Sequence, residues 1–279
     1  MVSKEKIRQK LAQADFTDDV MFGLVMSQLE ICRKFLKAIL PQHDFTKIKI
    51  IDQSHLKTDY LSKAGRLDIH CSDAHGNQYD IELQMTNEHN LAQRSKYYHA
   101  LMANHMLIAG EPYQALKETY VIFLCPFNPL DTEGGAVEHY QMISKTGTYL
   151  NDGTHTLILN ASGNWEGVSD DLKGILQLVL RQPASFGQLG PQIMDKIDEI
   201  KHSKLGGRKY MELTGSFWQG AKDEGRKEGT DEAIIKLIPA LALSNDHQAV
   251  IKILMKKMDL SQAQAESYYQ RAMKQGSKN

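Results

Sequence analysis

Between Arg66 and Met85 the chain reads RLDIHCSDAHGNQYDIELQM, two runs in which apolar and polar residues alternate. In the first, Leu67, Ile69 and Cys71 fall on one side and Arg66, Asp68, His70 and Ser72 on the other. In the second, Tyr79, Ile81, Leu83 and Met85 are apolar, while Asp80, Glu82 and Gln84 are polar. A period of two predicts strands with one apolar face each, because successive side chains leave a pleated backbone on opposite sides. Between the runs stands Asp73-Ala74-His75-Gly76, with an acid first and a glycine fourth. That suits a type I turn completed by Gly76 in the left-handed region. The resulting three-residue loop pairs Asp73 with Asn77, Asp68 with Glu82 and Arg66 with Gln84. A two-residue loop would set Asp68 opposite Leu83 and mix both faces. Pattern and turn chemistry select the same register.

In that register two carboxylates, Asp68 and Glu82, oppose each other with Cβ atoms about 5 Å apart. Like charges so placed repel, which costs stability unless a cation stands between them. Mg2+ is commonly held by one or two carboxylates with water in the remaining positions, and such an ion polarises a phosphate and acidifies a water. The spacing fits equally well a solvated polar face on which Arg66 neutralises the acids. Alternation by itself does not separate the two readings.

Other segments supply packing partners for the hairpin. Thr17, Asp18 and Asp19 mark a helix start, a hydroxyl cap followed by acids at the positive end of the helix dipole. Phe22, Val25, Met26, Leu29, Phe35, Leu36 and Ile39 then recur at helical spacing up to Pro41. A strand is expected at 48–52, a helix over 90–108 stopped by Gly110 and Pro112, and a strand over Thr119–Cys125. The last reads TYVIFLC, apolar almost throughout, as burial on both faces requires. Strands at 137–144 and 155–160 and a helix over 169–180 follow. Strand, helix, strand in that order implies a crossover within one sheet. Beyond Pro183 only helical patterns recur, which places a boundary near residue 186. Pro239 is expected to kink or end a helix over 234–243, and Ser261 with Gln264 reads as a capping box for the last helix.

Lys and Arg number 33 against 34 Asp and Glu, so no overall charge draws the chain to nucleic acid and any basic surface must be local. Cys32, Cys71 and Cys125 are far apart, which points to reduced thiols and the cytoplasm. The histidines show neither H-x-x-x-H nor mixed Cys/His spacing, so zinc is not indicated, and no Walker loop or G-x-G-x-x-G signals a nucleotide. No apolar run approaches the roughly 20 residues that span a bilayer, and the N-terminal segment MVSKEKIRQKLAQADF lacks the apolar centre of a secretory signal. On the helix after the hairpin, Arg94 and Tyr98 share a face. Arg94 suits either contact with a phosphate or pairing with an acid, and Tyr97 and Tyr98 are expected to pack on the sheet.

At these residues the chain also resembles a known family. Asp68…Glu82-x-Gln84 is similar to the D…(D/E)-x-K signature of PD-(D/E)XK nucleases, in the subgroup of recombination-promoting nucleases and related transposase-family proteins. TDDVMFGLVM (17–26), GRLDIHCSDAHGNQYDIELQM (65–85), LAQRSKYYHALM (91–102), GEPYQAL (110–116) and YVIFLCPFNP (120–129) follow that family's order and spacing. NDGTHTLILNASG (151–163) is similar to a later segment, and the coverage is roughly residues 15–185. The resemblance implies an α/β fold of restriction-endonuclease type, a mixed sheet flanked by helices, with 1–185 as the nuclease-like domain and 186–279 as a helical C-terminal extension. It implies a metal-dependent DNA endonuclease that hydrolyses phosphodiester bonds with Mg2+ or Mn2+ in recombination, mobile-element or defence contexts. Carried over by position, Asp68 and Glu82 become the metal ligands, with the backbone carbonyl of Leu83 as a third. Gln84 takes the place of the catalytic lysine, and Asp19 matches a supporting acidic position. Arg66 and Arg94 become candidate DNA contacts, and the C-terminal helices a route to a homo-oligomer. Two departures bear on rate: the lysine is absent, and Gly23 stands where many members carry lysine. The alternative that follows from them is a catalytically weak or inactive domain serving as a nucleic-acid or protein interaction module.

Overall fold

In the computed structural model the hairpin takes the register that its alternation and turn require. Strand β2 (Ile69–Asp73) pairs antiparallel with β3 (Gln78–Leu83), setting Ile69 opposite Ile81, His70 opposite Asp80 and Cys71 opposite Tyr79. Gly76 lies at φ +85°, where a Cβ would be strained. The acid that opens the turn also staples it: the Asp73 carboxylate accepts the backbone N–H groups of His75 and Asn77 at 2.8 and 3.0 Å. The structure describes residues 4–51, 68–131 and 134–214, and within 234–276 all but 236, 240, 243–245 and 259. Arg66, the expected partner of Gln84, lies outside the described residues.

The hairpin sits in a six-stranded sheet of order β1-β2-β3-β4-β6-β5. The other strands are β1 (Ile48–Ile50), β4 (Thr119–Cys125), β5 (Val137–Tyr140) and β6 (Thr154–Asn160). Strands β3, β4 and β6 run parallel at the centre, and the outer pairs are antiparallel. Every residue of β4 is buried, and its side chains alternate between two cores. Tyr120, Ile122 and Leu124 join Tyr79, Ile81 and Leu83 in the larger core, with α2 (Asp19–Met26), α3 (Leu29–Ile39), α5 (Asp170–Val179) and α6 (Leu189–His202). Val121, Phe123 and Cys125 join Leu91, Tyr98, Leu101 and Met102 of α4 (Leu91–Met106), which links β3 to β4. The polar side of β3 faces this second core. It is not a solvated face: Asp80 and Glu82 are 0% and 1% exposed.

The helical run expected from Thr17 to Pro41 is two helices, separated where Gln28 is extended at ψ 115°. Asp18, rather than Thr17, caps α2, its carboxylate accepting the Met21 N–H at 3.0 Å. Thr17 instead donates to Asp15 through both its N–H and its hydroxyl.

The loss of strand pattern after Pro183 does not coincide with the division of the chain. Leu189, Ile193, Ile197 and Ile200 of α6 belong to the main core, as does Tyr210 of helix α7 (204–214). The Tyr210 hydroxyl donates to the capping Asp18 at 3.1 Å. Asp171 on α5 caps α6 from outside, accepting the N–H groups of Gln188 and Leu189 at 2.7 and 3.0 Å. Close approach of the two helices rests on Gly174, where a Cβ would lie 2.5 Å from the Phe186 carbonyl oxygen. The compact units are Met1–Leu213 and Thr214–Asn279, so the division comes later than residue 186. A helix can complete a helix–sheet core as well as a strand can, and a search for missing strands does not detect it.

The second unit is helical in its described residues, with α8 (His247–Met258) and α9 (Gln262–Gly276) packed around Ile238, Val250, Leu254 and Tyr268. The capping box forms as read: Ser261 N–H donates to Gln264 Oε1 at 2.8 Å, and Gln264 N–H to Ser261 Oγ at 3.3 Å. Among the described residues no helix is long and apolar enough to cross a membrane.

Candidate active site

Asp68 and Glu82 meet at the end of the hairpin where β2 begins. The Asp68 N–H donates to Glu82 Oε1 at 2.8 Å, and Asp68 Oδ2 accepts the Leu83 N–H at 3.1 Å, so each carboxylate binds the backbone of the opposite strand. Residues 68, 82 and 83, which the sequence brings together by register alone, are therefore neighbours. The two acids differ in environment. Asp68 is exposed and Glu82 is sealed beneath α4. Burial, and then the charge of Asp68, push the Glu82 carboxyl up to about 8; the backbone bond from Asp68 and the charge of Arg94 oppose this without cancelling it.

The cation at Glu82 is Arg94. Its Nη2 lies 2.8 Å from Glu82 Oε2, its Nη1 donates to Gln84 Oε1, and its Nε and Nη2 donate to the Tyr98 hydroxyl at 3.2 and 2.8 Å. The guanidinium carbon also stands 5.4 Å from the Tyr98 ring centroid and 5.9 Å from that of Phe123. Burial works against the arginine's charge, but Tyr98, Glu82 and Asp68 outweigh it and hold its pKa up. Of the two roles the sequence allowed for Arg94, pairing with an acid is the one seen. Tyr98 packs on the sheet as expected and in addition supplies an acceptor to the site. The Gln84 side chain is occupied at both ends, since its Nε2 donates to the Thr86 carbonyl at 2.6 Å.

Asp80 is the site residue that the sequence reading passed over. It lies two residues before Glu82 on the same face, fully buried, and neither carboxylate oxygen has a hydrogen-bond partner among the described residues. Burial, then the charges of Glu82 and Asp68, push its pKa well above the ordinary carboxylate range. The signal was present, because alternation set Asp80 beside Glu82, but nothing in a strand pattern reports that a helix will cover the polar side. His70, opposite Asp80, bonds Gln78 Oε1 through Nε2 at 2.8 Å, and burial lowers its pKa.

Asp19 stands elsewhere, in the first turn of α2, in a polar cleft with Lys10, Asp15, Thr17, Asp18 and Arg181. Burial and then Asp18 raise its carboxyl, and Lys10 opposes them; these are its electrostatic neighbours, not the acids of the hairpin.

Two carboxylates and adjacent strand backbone offer hard oxygen donors, the type that Mg2+ and Mn2+ take. The upward shift of Glu82 comes first from burial and then from Asp68, with the Arg94 guanidinium already 2.8 Å away. Among the described residues, however, no group of three or more His, Cys, Asp and Glu is arranged to hold a metal ion. The residues fit an ion bound through two carboxylates and water, with Arg94 competing for one of the two.

Residues 12–166, more than half of the chain, match the family model of the PD-(D/E)XK nuclease family transposase. No curated protein matches the chain. No solved structure matches it.

Proposed function

The chain belongs to the PD-(D/E)XK nuclease family of transposases, and from that premise we propose that it is a DNA-interacting domain whose phosphodiester cleavage is weak because its acid pair is already neutralised from within. The observation that carries this reading is the 2.8 Å ion pair between Arg94 and Glu82. In the general signature a lysine at position 84 would bring a free charge to the reacting phosphate. Glutamine has none to give and can offer only a neutral hydrogen bond. The cation that does reach this position, Arg94, is committed to Glu82, Gln84 and Tyr98.

Asp68 and Glu82, with the Leu83 carbonyl, are the residues that would hold Mg2+ or Mn2+. Such an ion, when bound, supplies Lewis acidity to the phosphate and to an attacking water. Asp68 stands at the open rim, where substrate and solvent reach it, and Glu82 at the sealed base. Arg66 and Arg94 are assigned contacts to the DNA backbone, Arg94 only when it leaves Glu82, while Asp19, set in its cleft with Lys10, Asp18 and Arg181, is not assigned to the acid pair. The helical C-terminal extension, expected from residue 186 but a separate compact unit only from Thr214, is assigned to assembly as a homo-oligomer or to DNA engagement. Three free thiols suit the reducing cytoplasm.

A second reading, an active metal-dependent endonuclease of recombination, mobile elements or defence, is favoured by the survival of both acids side by side. Plasmid nicking with Mg2+ or Mn2+, read beside gel-shift binding, separates the two. The first expects DNA binding with slow nicking that rises in Arg94→Gln. Rapid nicking by the wild type that Asp68→Ala abolishes would establish the second instead. Absence of DNA binding would sink both.

A further inference from the structure

Another group of ionisable side chains lies apart from the acid pair. His155 is the second residue of β6, and His139 lies on the adjacent antiparallel strand β5. The Nε2 of His139 is 3.0 Å from the Nδ1 of His155. The His155 ring lies flat against Tyr120, with centroids 4.5 Å apart and planes 7° apart, and Tyr120 stacks in turn on Tyr79 at 4.9 Å. This stack fixes the orientation of the His155 ring. Register separates the pair from the acids: His155 is level with Tyr120 on β4, whereas Glu82 is level with Phe123, whose side chain faces the core under α4.

We propose that His139 and His155 form a binding site for a borderline transition-metal ion, Zn2+, Ni2+ or Cu2+, with two imidazole nitrogens as protein ligands and water completing the shell. Imidazole is the ligand such ions favour among protein side chains of this kind. Two nitrogens each about 2.0–2.1 Å from one ion stand roughly 2.9–3.4 Å apart, from a right angle to a tetrahedral one. The 3.0 Å hydrogen bond between the two rings lies within that interval, so an ion replacing the shared proton leaves the nitrogen separation unchanged, with the rings turning to aim both lone pairs at it. One ligating atom is an Nε2 and the other an Nδ1, which leaves the second nitrogen of each ring to fix its orientation.

Burial, with His43 adding to it, lowers the proton affinity of His139. Burial does the same for His155, where Glu118 and Asp152 pull the other way and His139 and His43 reinforce it. A neutral imidazole keeps one N–H, and in the hydrogen bond seen here one of these lies between the two nitrogens. An ion would take its place once that ring's proton moves to its other nitrogen, and Glu118 and Asp152 set negative charge near His155. Among the described residues no third His, Cys, Asp or Glu completes the set. The site is therefore open rather than a closed structural centre, and its affinity should be moderate. An ion held there ties the edge strand β5 to β6 and should raise the melting temperature with concentration.

The test is calorimetric titration of the full chain with ZnCl2, NiCl2 or CuCl2 near pH 7.5, beside melting curves with and without the ion. We expect micromolar uptake in the wild type that is retained in Asp68→Ala. His139→Ala and His155→Ala should each weaken it by more than about tenfold. His155→Gln, which keeps a planar polar group against Tyr120, serves should the alanine variant fail to fold in metal-free circular dichroism. No uptake by the wild type at millimolar metal, or equal uptake by the histidine variants, overturns the proposal. So does uptake that vanishes in Asp68→Ala, because the ion would then sit at the acid pair.

Discussion

Arg94 on α4 reaches Glu82 on β3, Nη2 to Oε2 at 2.8 Å, and makes a sealed carboxylate part of a helix–strand contact. Removing the arginine takes away the cation that opposes the rise of the Glu82 carboxyl, so Glu82 takes up a proton and the variant loses about 1–3 kcal/mol through the broken buried hydrogen bond. We expect Arg94→Gln to lower the urea midpoint and at the same time bind Mn2+ more tightly, since the ion no longer competes with a guanidinium. Denaturation and calorimetric titration read the two effects separately. Unchanged Mn2+ affinity would show that Arg94 does not shield the acids.

Asp68→Ala and Glu82→Ala should differ sharply in metal-free stability. Asp68 is exposed, and its removal relieves repulsion on Glu82 while leaving the Leu83 N–H without its acceptor. These effects oppose each other, and the net change should stay within about 1 kcal/mol. Glu82→Ala deprives both Arg94 and the Asp68 N–H of an acceptor beneath α4, at a cost of about 3 kcal/mol. Urea unfolding in EDTA measures both, and equal losses would mean that the two acids are structural alike.

A chain ending at Leu213 should melt cooperatively, whereas one ending near residue 186 should not. The shorter chain lacks Leu189, Ile193, Ile197 and Ile200, each contributing about 1.5–3 kcal/mol on burial. Gly174→Ala tests the same contact within the full chain. Alanine favours a helix by about 1 kcal/mol, yet its Cβ would lie 2.5 Å from the Phe186 carbonyl oxygen, so a lower melting temperature is expected. A rise would mean that α6 yields easily.

Acid stability should depend on His99, whose Nδ1 lies 2.7 Å from Thr119 Oγ1 and whose Nε2 lies 3.1 Å from Thr156 Oγ1. Burial lowers its pKa from 6.5 to about 4, so between these values the unfolded chain binds the extra proton. This contribution is complete above the unfolded value and is lost as pH falls through the folded one. Glu82 and Asp80, whose raised carboxyls take up protons first in the folded chain, act in the opposite sense. The His99 share is therefore read as a difference: between pH 6.5 and 4 the wild-type urea midpoint should lose ground relative to that of His99→Asn as pH falls. A variant with the wild-type slope would assign the effect to other groups, His70 first among them.

The parts of this fold that could be read from the chain are those fixed by short-range chemistry. Asp73 and Gly76 dictate the turn, the turn dictates the register, and the register brings Asp68 to Glu82. The apolar run of β4 likewise announced burial on both faces. What stayed hidden depends on which element comes to lie over another. Asp80, read as one of several polar residues, is buried because α4 crosses above it. Arg94 lies twelve residues beyond Glu82 in sequence, and its choice between a phosphate and an acid is decided by that same crossing. The place of α6 was missed for a related reason, since its isoleucines fit a helix of any domain until α5 is seen beside them.

The parallel centre of the sheet has a kinetic consequence. Strands β2 and β3 are joined by a tight turn, but β4 must find β3, and β6 must find β4, across long intervening segments. Closing those loops loses chain entropy before any pairing compensates for it, so the hairpin should form in microseconds and the centre much later. Asp68 and Glu82 can thus meet in a nascent hairpin, while Arg94 arrives only once α4 has docked on β4. During that interval the acids have no resident counterion, and divalent cations or basic residues of other chains can reach them. Refolding should therefore be more sensitive to added Mg2+ than the finished protein is.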